Sequence, residues 1–323
     1  MPHPLIRDKT LKSDILVVCA LCAVAVAQPL YDVLGNGAAF FIAHDAGRFE
    51  ILIFVLTLSI ALPALIIFIE LIAGLFGPSV RRVFHYSAVA LLAWAYALGT
   101  LNKFTDANSV LVLAGSGLLG LILALLIAKL QSVRNITAIV SFAVILLPAL
   151  FLFMTPVSRI VLAGDKVEGD RISTDSVTPV VLVIFDEFTL LGLLDRGRQI
   201  DPIRFPNIAL LAKDSWWFPN ASSVHHQSAR AVPAILTGNF PPDEERVPSI
   251  ADYPNNVFTL LGGSYALNVM ESFTALCPKV YCTPGEDTSN FSLGAFSEDI
   301  RVLLAHIYYP KALAKEKLPS LDA

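Results

Sequence analysis

Five apolar blocks of membrane-spanning length follow one another along the first half of this chain, at residues 15–34, 51–75, 83–101, 110–130 and 136–157. A helix needs roughly 20 apolar residues to cross a hydrocarbon core about 30 Å thick. Packed as buried helices of a large soluble protein, five near-consecutive blocks leave no polar face for water. A bilayer is therefore the solvent they imply. The chain is 55% hydrophobic and 15% charged, against about 25% charged in a soluble domain, and the shortage is confined to the first half. Residues 164–323 have an ordinary soluble composition. Pro63 and Pro148 lie inside blocks, which membrane helices tolerate. Glu70, in the last turns of the second block, either snorkels to the interface or faces the bundle. A transporter is disfavoured, because Glu70 alone stands out as an inward polar residue.

Basic residues in the short connections set the expected orientation. Arg7, Lys9, Lys12, Arg81, Arg82, Lys129 and Arg134 fall on one side, whereas Arg48 and Lys103 fall on the other. The N-terminus is expected in the cytoplasm of a multi-pass cell-membrane protein, and an odd number of spans puts the C-terminal half outside. The first apolar stretch is too long, and followed by too many more, to be a cleavable signal peptide. The net charge of −4 and the lack of a basic stripe leave no footprint for nucleic acid. Cys19 and Cys22 sit in the first span as small apolar residues. Cys277 and Cys282, in the exported part with four residues between them, suit a loop disulfide in an oxidising compartment.

Three regions follow: a five-helix anchor over residues 1–157, a polar linker over 158–178, and an α/β domain from 179 to 323. Pro179-Val180-Val181-Leu182-Val183-Ile184-Phe185 is a continuous β-branched run of the kind found in central parallel strands. It ends in Asp186-Glu187, where open α/β sheets bind ligands; capping of the following turn is the plainer role for this pair. Phe205-Pro206-Asn207 opens a helix running to Lys213, and Trp216-Trp217-Phe218 reads as a short aromatic strand. His225-His226-Gln227-Ser228 enters a further helix that Gly238 ends. Ser228 at that helix start meets free backbone N–H groups suited to an anionic ester, although serine is also a common N-cap. Residues 255–261 make another helix, and 265–270 return as a strand.

These pieces, in this order, resemble the N-terminal part of the sulfatase/alkaline phosphatase superfamily. The matching segments are Val180 to Glu187, Phe205-Pro206-Asn207, Phe218-Pro219-Asn220-Ala221, Ser228 through Thr237-Gly238-Asn239-Phe240-Pro241, and Thr259-Leu260 through Ser264-Tyr265. A multi-span anchor carrying such a domain is similar to phosphoethanolamine transferases and lipoteichoic acid synthases. The resemblance implies a partial α/β domain with a mainly parallel central sheet, holding a divalent cation (Zn²⁺, Mn²⁺ or Ca²⁺). It implies Asp186 and Glu187 as metal-binding carboxylates and Ser228 as both metal ligand and nucleophile. His225, His226 and Arg230 become candidate substrate contacts. The implied activity is a metal-dependent hydrolase or transferase of sulfate or phosphate esters, acting on an anionic ester or lipid head group.

The chain also departs from that pattern. Arg230 and Val232 stand where formylglycine-forming sulfatases have Pro and Arg, so an unmodified serine fits better. Ser272 and Thr274 replace the family's Lys and His. No Asp-His or Asp-Asn pair follows Tyr265, and His306, the one later histidine, reads as a packed helix residue. The expectation is a truncated or degenerate member. The alternative function is a catalytically incomplete membrane protein whose domain binds or senses an anionic ligand.

Overall fold

The computed structural model describes residues 4–105, 108–162, 169, 172–173, 175–186, 188–244, 246–284 and 291–318. Five helices are long and apolar enough to cross a membrane: α1 (Leu11–Asn36), α2 (Arg48–Leu75), α3 (Pro78–Phe104), α4 (Ser109–Lys129) and α5 (Gln131–Met154). They carry exposed Ile53, Leu56, Phe68, Leu121 and Phe153 on their outer faces, an apolar surface matched to lipid rather than water. The chain is thus built as a multi-pass membrane protein.

Local chemistry sets how each span begins and bends. The Asn108 side chain accepts from Val110 N at 2.8 Å to start α4, and Glu50 reaches back to Gly47 N at 2.9 Å to start α2. Gly77, at φ +127°, makes the tight turn between α2 and α3. Two π-helical turns interrupt the ladder, at Ala23–Ala27 in α1 and Thr57–Ala61 in α2. Each ends just ahead of a proline, Pro29 or Pro63. A proline ring clashes with the carbonyl one turn earlier, and a π turn gives that carbonyl other geometry without breaking the helix.

Helix α1 lies at the heart of the bundle. Val17, Val18, Leu21 and Ala25 of α1 form one core with Val89 and Ala93 of α3 and Ala124 and Ile127 of α4. A second cluster stacks Tyr31 on Phe151 at 4.7 Å, with Phe41 and Phe54 edge-on around them. The Tyr31 hydroxyl bonds Ser59 Oγ at 2.8 Å inside the π turn of α2.

Two compact units divide the chain differently from the composition boundary at residue 178. The first comprises Met1–Lys166, Met270–Ala275 and Pro284–Ala323, and the second Val167–Val269 and Leu276–Thr283. In the first unit an amphipathic helix, Leu293–Tyr308, docks on the spans. Asn102 Nδ2 donates to the carbonyls of Ile307 and Tyr309, both at 2.9 Å. The Tyr308 hydroxyl donates to Ala25 O. Burial pushes the Tyr308 phenol up to about 12, so it stays a donor at ordinary pH. Phe296 joins the aromatic cluster beside Phe40 and Phe54.

The second unit corrects the expected parallel sheet. Its described residues hold helices Pro206–Lys213, Ser228–Thr237 and Val257–Leu261. The sheet among the described residues is a pair of three-residue strands, Leu267–Val269 and Cys282–Pro284. The run Pro179–Phe185 is not a strand, and Val181 and Phe185 are 86% and 70% exposed. Trp216-Trp217-Phe218 is likewise outside any strand. The physical reason is cooperative: β-branched residues favour extended backbone, but a strand exists only when neighbours take its N–H and C=O groups. No backbone hydrogen bond joins Pro179–Phe185 to another described segment. Asn256 instead organises this unit's core. Its buried side chain caps Val257–Leu261 through Phe258 N and Thr259 N and donates to Leu276 O at 3.0 Å.

The α3–α4 contact yields a test. A Cβ on Gly120 would lie 2.6 Å from Trp94 Cα and 2.8 Å from its N, whereas one on Gly117 meets nothing within 4 Å. Gly120→Ala is expected to cost about 1–3 kcal/mol through overpacking, and Gly117→Ala to be neutral. Unfolding of detergent-solubilised protein measures both; equal stability of the two variants would refute the close approach.

Candidate functional site

Two clusters of chemistry-bearing side chains lie on separate units. In the second unit, the helix Ser228–Thr237 starts with Ser228 in its first turn and ends at Gly238 in the left-handed region, φ +71°. Ser228 Oγ donates to Asp186 Oδ1 at 2.7 Å, joining residues 42 positions apart. The two residues singled out as nucleophile and first metal-binding acid are thus in direct contact. Glu187 lies outside the described residues.

The flanking residues are arranged less favourably. His225 and His226 stack on one another with centroids 4.4 Å apart. His225 Nδ1 accepts from Gln227 N at 3.1 Å, which leaves Nε2 to carry the proton of the neutral ring. Partial desolvation, then the charges of His226 and Arg230, hold the His225 pKa below its ordinary value, which favours the neutral ring. Arg230 Nη2 donates to Pro242 O. Cys277 and Cys282 are joined as a disulfide, their Cα atoms 6.1 Å apart.

One carboxylate and one hydroxyl fall short of a cation site. Zn²⁺ takes three or four protein ligands and Ca²⁺ six or more oxygens, and no described group of three His, Cys, Asp or Glu ligands includes Asp186. The described residues therefore do not by themselves fit the implied metal.

The second cluster was hidden in the sequence. Asp14 of α1, Glu70 of α2 and His85 of α3 bring ligand atoms within 4.8 Å of one another. Glu70 faces the bundle, 2% exposed, and His85 is 4% exposed. Arg81 donates from Nε to Glu70 at 3.0 Å and from Nη2 to Asp14 at 2.6 Å. Arg134 of α5 donates to Asp14 and, at 2.8 Å, to Ser13 Oγ. His85 Nδ1 meets Glu70 at 3.2 Å, and Nε2 lies 3.5 Å from Asp14. Arg81 and Arg134 already hold Glu70 Oε1 and both Asp14 carboxylate oxygens, and Glu70 Oε2 meets His85. Two acids, two arginines and one histidine form a closed ion-pair network tying four helices. In the sequence Arg81 and Arg134 stand out only as loop charges. A signal was present: Arg81 and His85, four apart, share a helix face, and Asp14 and Glu70 lie at the span ends beside them.

No family model matches this chain, and no curated protein or solved structure matches it.

Removing Arg81 would leave buried Glu70 with His85 alone and half-buried Asp14 with Arg134 and His85. Arg81→Ala is expected to cost about 3–5 kcal/mol, the range for breaking a buried pair from one side. Denaturant unfolding in detergent checks this, and a loss under about 1 kcal/mol would show the network to be solvated.

Proposed function

We propose that this protein is a membrane-anchored, sulfatase-like hydrolase or transferase of sulfate or phosphate esters, with Ser228 as nucleophile. The observation that carries the reading is the 2.7 Å hydrogen bond from Ser228 Oγ to Asp186 Oδ1. Pattern resemblance singled out these two residues, and the fold brings them together. In this reading Oγ bonds to sulfur or phosphorus as the ester oxygen departs, and the Oγ proton passes toward Asp186. A covalent seryl ester then transfers to water or an acceptor alcohol. Backbone N–H groups at the helix start favour the anionic oxygens of the substrate. An anionic ester or lipid head group is the proposed substrate, and a divalent cation remains part of the proposal to be tested directly.

A second reading is an incomplete site that binds or senses an anionic ligand. It is favoured by the lack of a described three-ligand set around Asp186. One experiment separates the two. The purified full chain is titrated with Zn²⁺, Mn²⁺ and Ca²⁺, and its hydrolysis of aryl phosphate and aryl sulfate is followed. The enzyme reading expects cation binding that Asp186→Ala abolishes, and turnover that Ser228→Ala lowers by roughly a thousandfold or more, as for other serine nucleophiles. Wild-type protein that binds sulfate or phosphate without turnover supports the sensor.

The proposed orientation places the N-terminus in the cytoplasm and residues following α5 outside, from the excess of Arg and Lys on one side. In a cysteine-free background, single cysteines at Ser79 and Asn108 test it with a membrane-impermeant thiol reagent on intact cells. Labelling of Asn108→Cys alone is expected, and labelling of Ser79→Cys alone would reverse the topology.

A further inference from the structure

The docked helix Leu293–Tyr308 of the first unit is held at both ends. Its last turn hangs on Asn102 and on the Tyr308 hydroxyl, which donates to Ala25 O. No group in those contacts titrates near neutrality. Its start meets the connection between α1 and α2, where His44 follows the short helix Ala39–Ala43. Phe296 and Asp299, three apart on one face of the docked helix, both touch His44. The His44 ring lies 4.4 Å from the Phe40 ring and 5.4 Å, edge-on, from that of Phe296. Its side chain is 12% exposed, against 56% for Asp299.

Both ring nitrogens of His44 face oxygen. Nδ1 lies 2.9 Å from Phe40 O, and Nε2 lies 3.0 Å from Asp299 Oδ2. A carbonyl oxygen only accepts, so Nδ1 carries a proton. A neutral ring would then turn its Nε2 lone pair toward a carboxylate oxygen that also only accepts. The imidazolium satisfies both contacts at once, with Asp299 ionised. Supplying the second proton from the acid instead requires a pH near ~4, where carboxylic acids form. Among the described residues Asp299 is the one charged group within ion-pair distance of His44. The charged neighbours on both packed elements, Asp45 and Arg48 in the connection and Glu298 and Arg301 on the helix, form no ion pair with it.

We propose that His44 and Asp299 form a proton-dependent clasp that fastens the start of the docked helix to the α1–α2 connection, made in mild acid and released as pH rises through neutrality. Histidine is the side chain that ordinarily changes charge between about pH 5 and 8. The closed clasp requires the second ring proton and the open one does not. Closure is therefore favoured on the acid side and lost as that proton leaves. Release frees the turns around Phe296 from Phe40 and Phe54 and uncovers the aromatic cluster, while Asn102 keeps the last turn in place. The inference is independent of the Ser228–Asp186 reading and uses none of its residues.

Hydrogen exchange of the purified full chain in nanodiscs, compared at pH 5 and pH 8 after correction for the intrinsic exchange rate, tests it. Protection of the amides of residues 296–300 is expected to be about fivefold lower at pH 8, the upper end for a part-exposed ion pair. Asp299→Asn, at an exposed position, should lower protection at pH 5 to the pH 8 level and erase the difference. His44→Phe keeps a ring between Phe40 and Phe296 without either nitrogen, and should do the same. His306→Gln removes the other histidine of this region, on the docked helix itself, and should leave the difference intact. Equal protection of the wild-type chain at the two pH values overturns the proposal. So does a difference that persists in Asp299→Asn, or one that vanishes in His306→Gln.

Discussion

A bilayer core offers no hydrogen bonds, so every polar group placed in it must find its partner within the protein. Most of the first unit follows from that constraint. The backbone closes on itself as helices, and at Pro29 and Pro63 a π turn precedes the break in the ladder. Tyr31 meets Ser59, and Trp94 Nε1 meets Ser116 at 3.1 Å. The largest polar load, Asp14, Glu70, His85, Arg81 and Arg134, is gathered into one network in which each carboxylate faces cationic donors. A network of this kind contributes little net stability relative to apolar packing. It penalises wrong helix arrangements instead, because any register that separates its members strands a charge.

Asn102 shows the same rule left half-fulfilled. Its amide nitrogen clamps the end of the docked helix, while its oxygen is buried with no hydrogen-bond partner among the described residues. Beside it lies a slot lined by α1, α3 and the docked helix. The docked helix forms one wall of that slot, so fixing it in place also builds the cavity. In the second unit the Ser228–Asp186 contact depends on no membrane burial. It joins a helix start to the end of an exposed apolar run.

Much of the first unit was legible in the sequence because lipid as solvent leaves a strong mark. Long apolar blocks and short basic connections survive any detail of packing. The second unit was less legible. Pro206–Lys213 and Ser228–Thr237 were readable from proline, apolar spacing and the terminating Gly238, since helix hydrogen bonds are local. The run ending in Phe185 has strand composition and is no strand, because strand formation rests on residues elsewhere in the chain. Residues after Pro284 looked like the continuation of a soluble domain. Their apolar stripe instead covers the spans, and a stripe does not name the surface it will meet.

By itself the sequence determined the number of spans and the lipid solvent of the first half, because hydrophobicity is a property of single residues. Only the tertiary structure decided that Arg81 and Arg134 pair with Asp14 and Glu70, that Ser228 touches Asp186, and that Asn102 fastens a distant helix. Each of those is a meeting of side chains from separate segments. Their partners are set by how helices pack, and packing geometry is not written in any local stretch of chain.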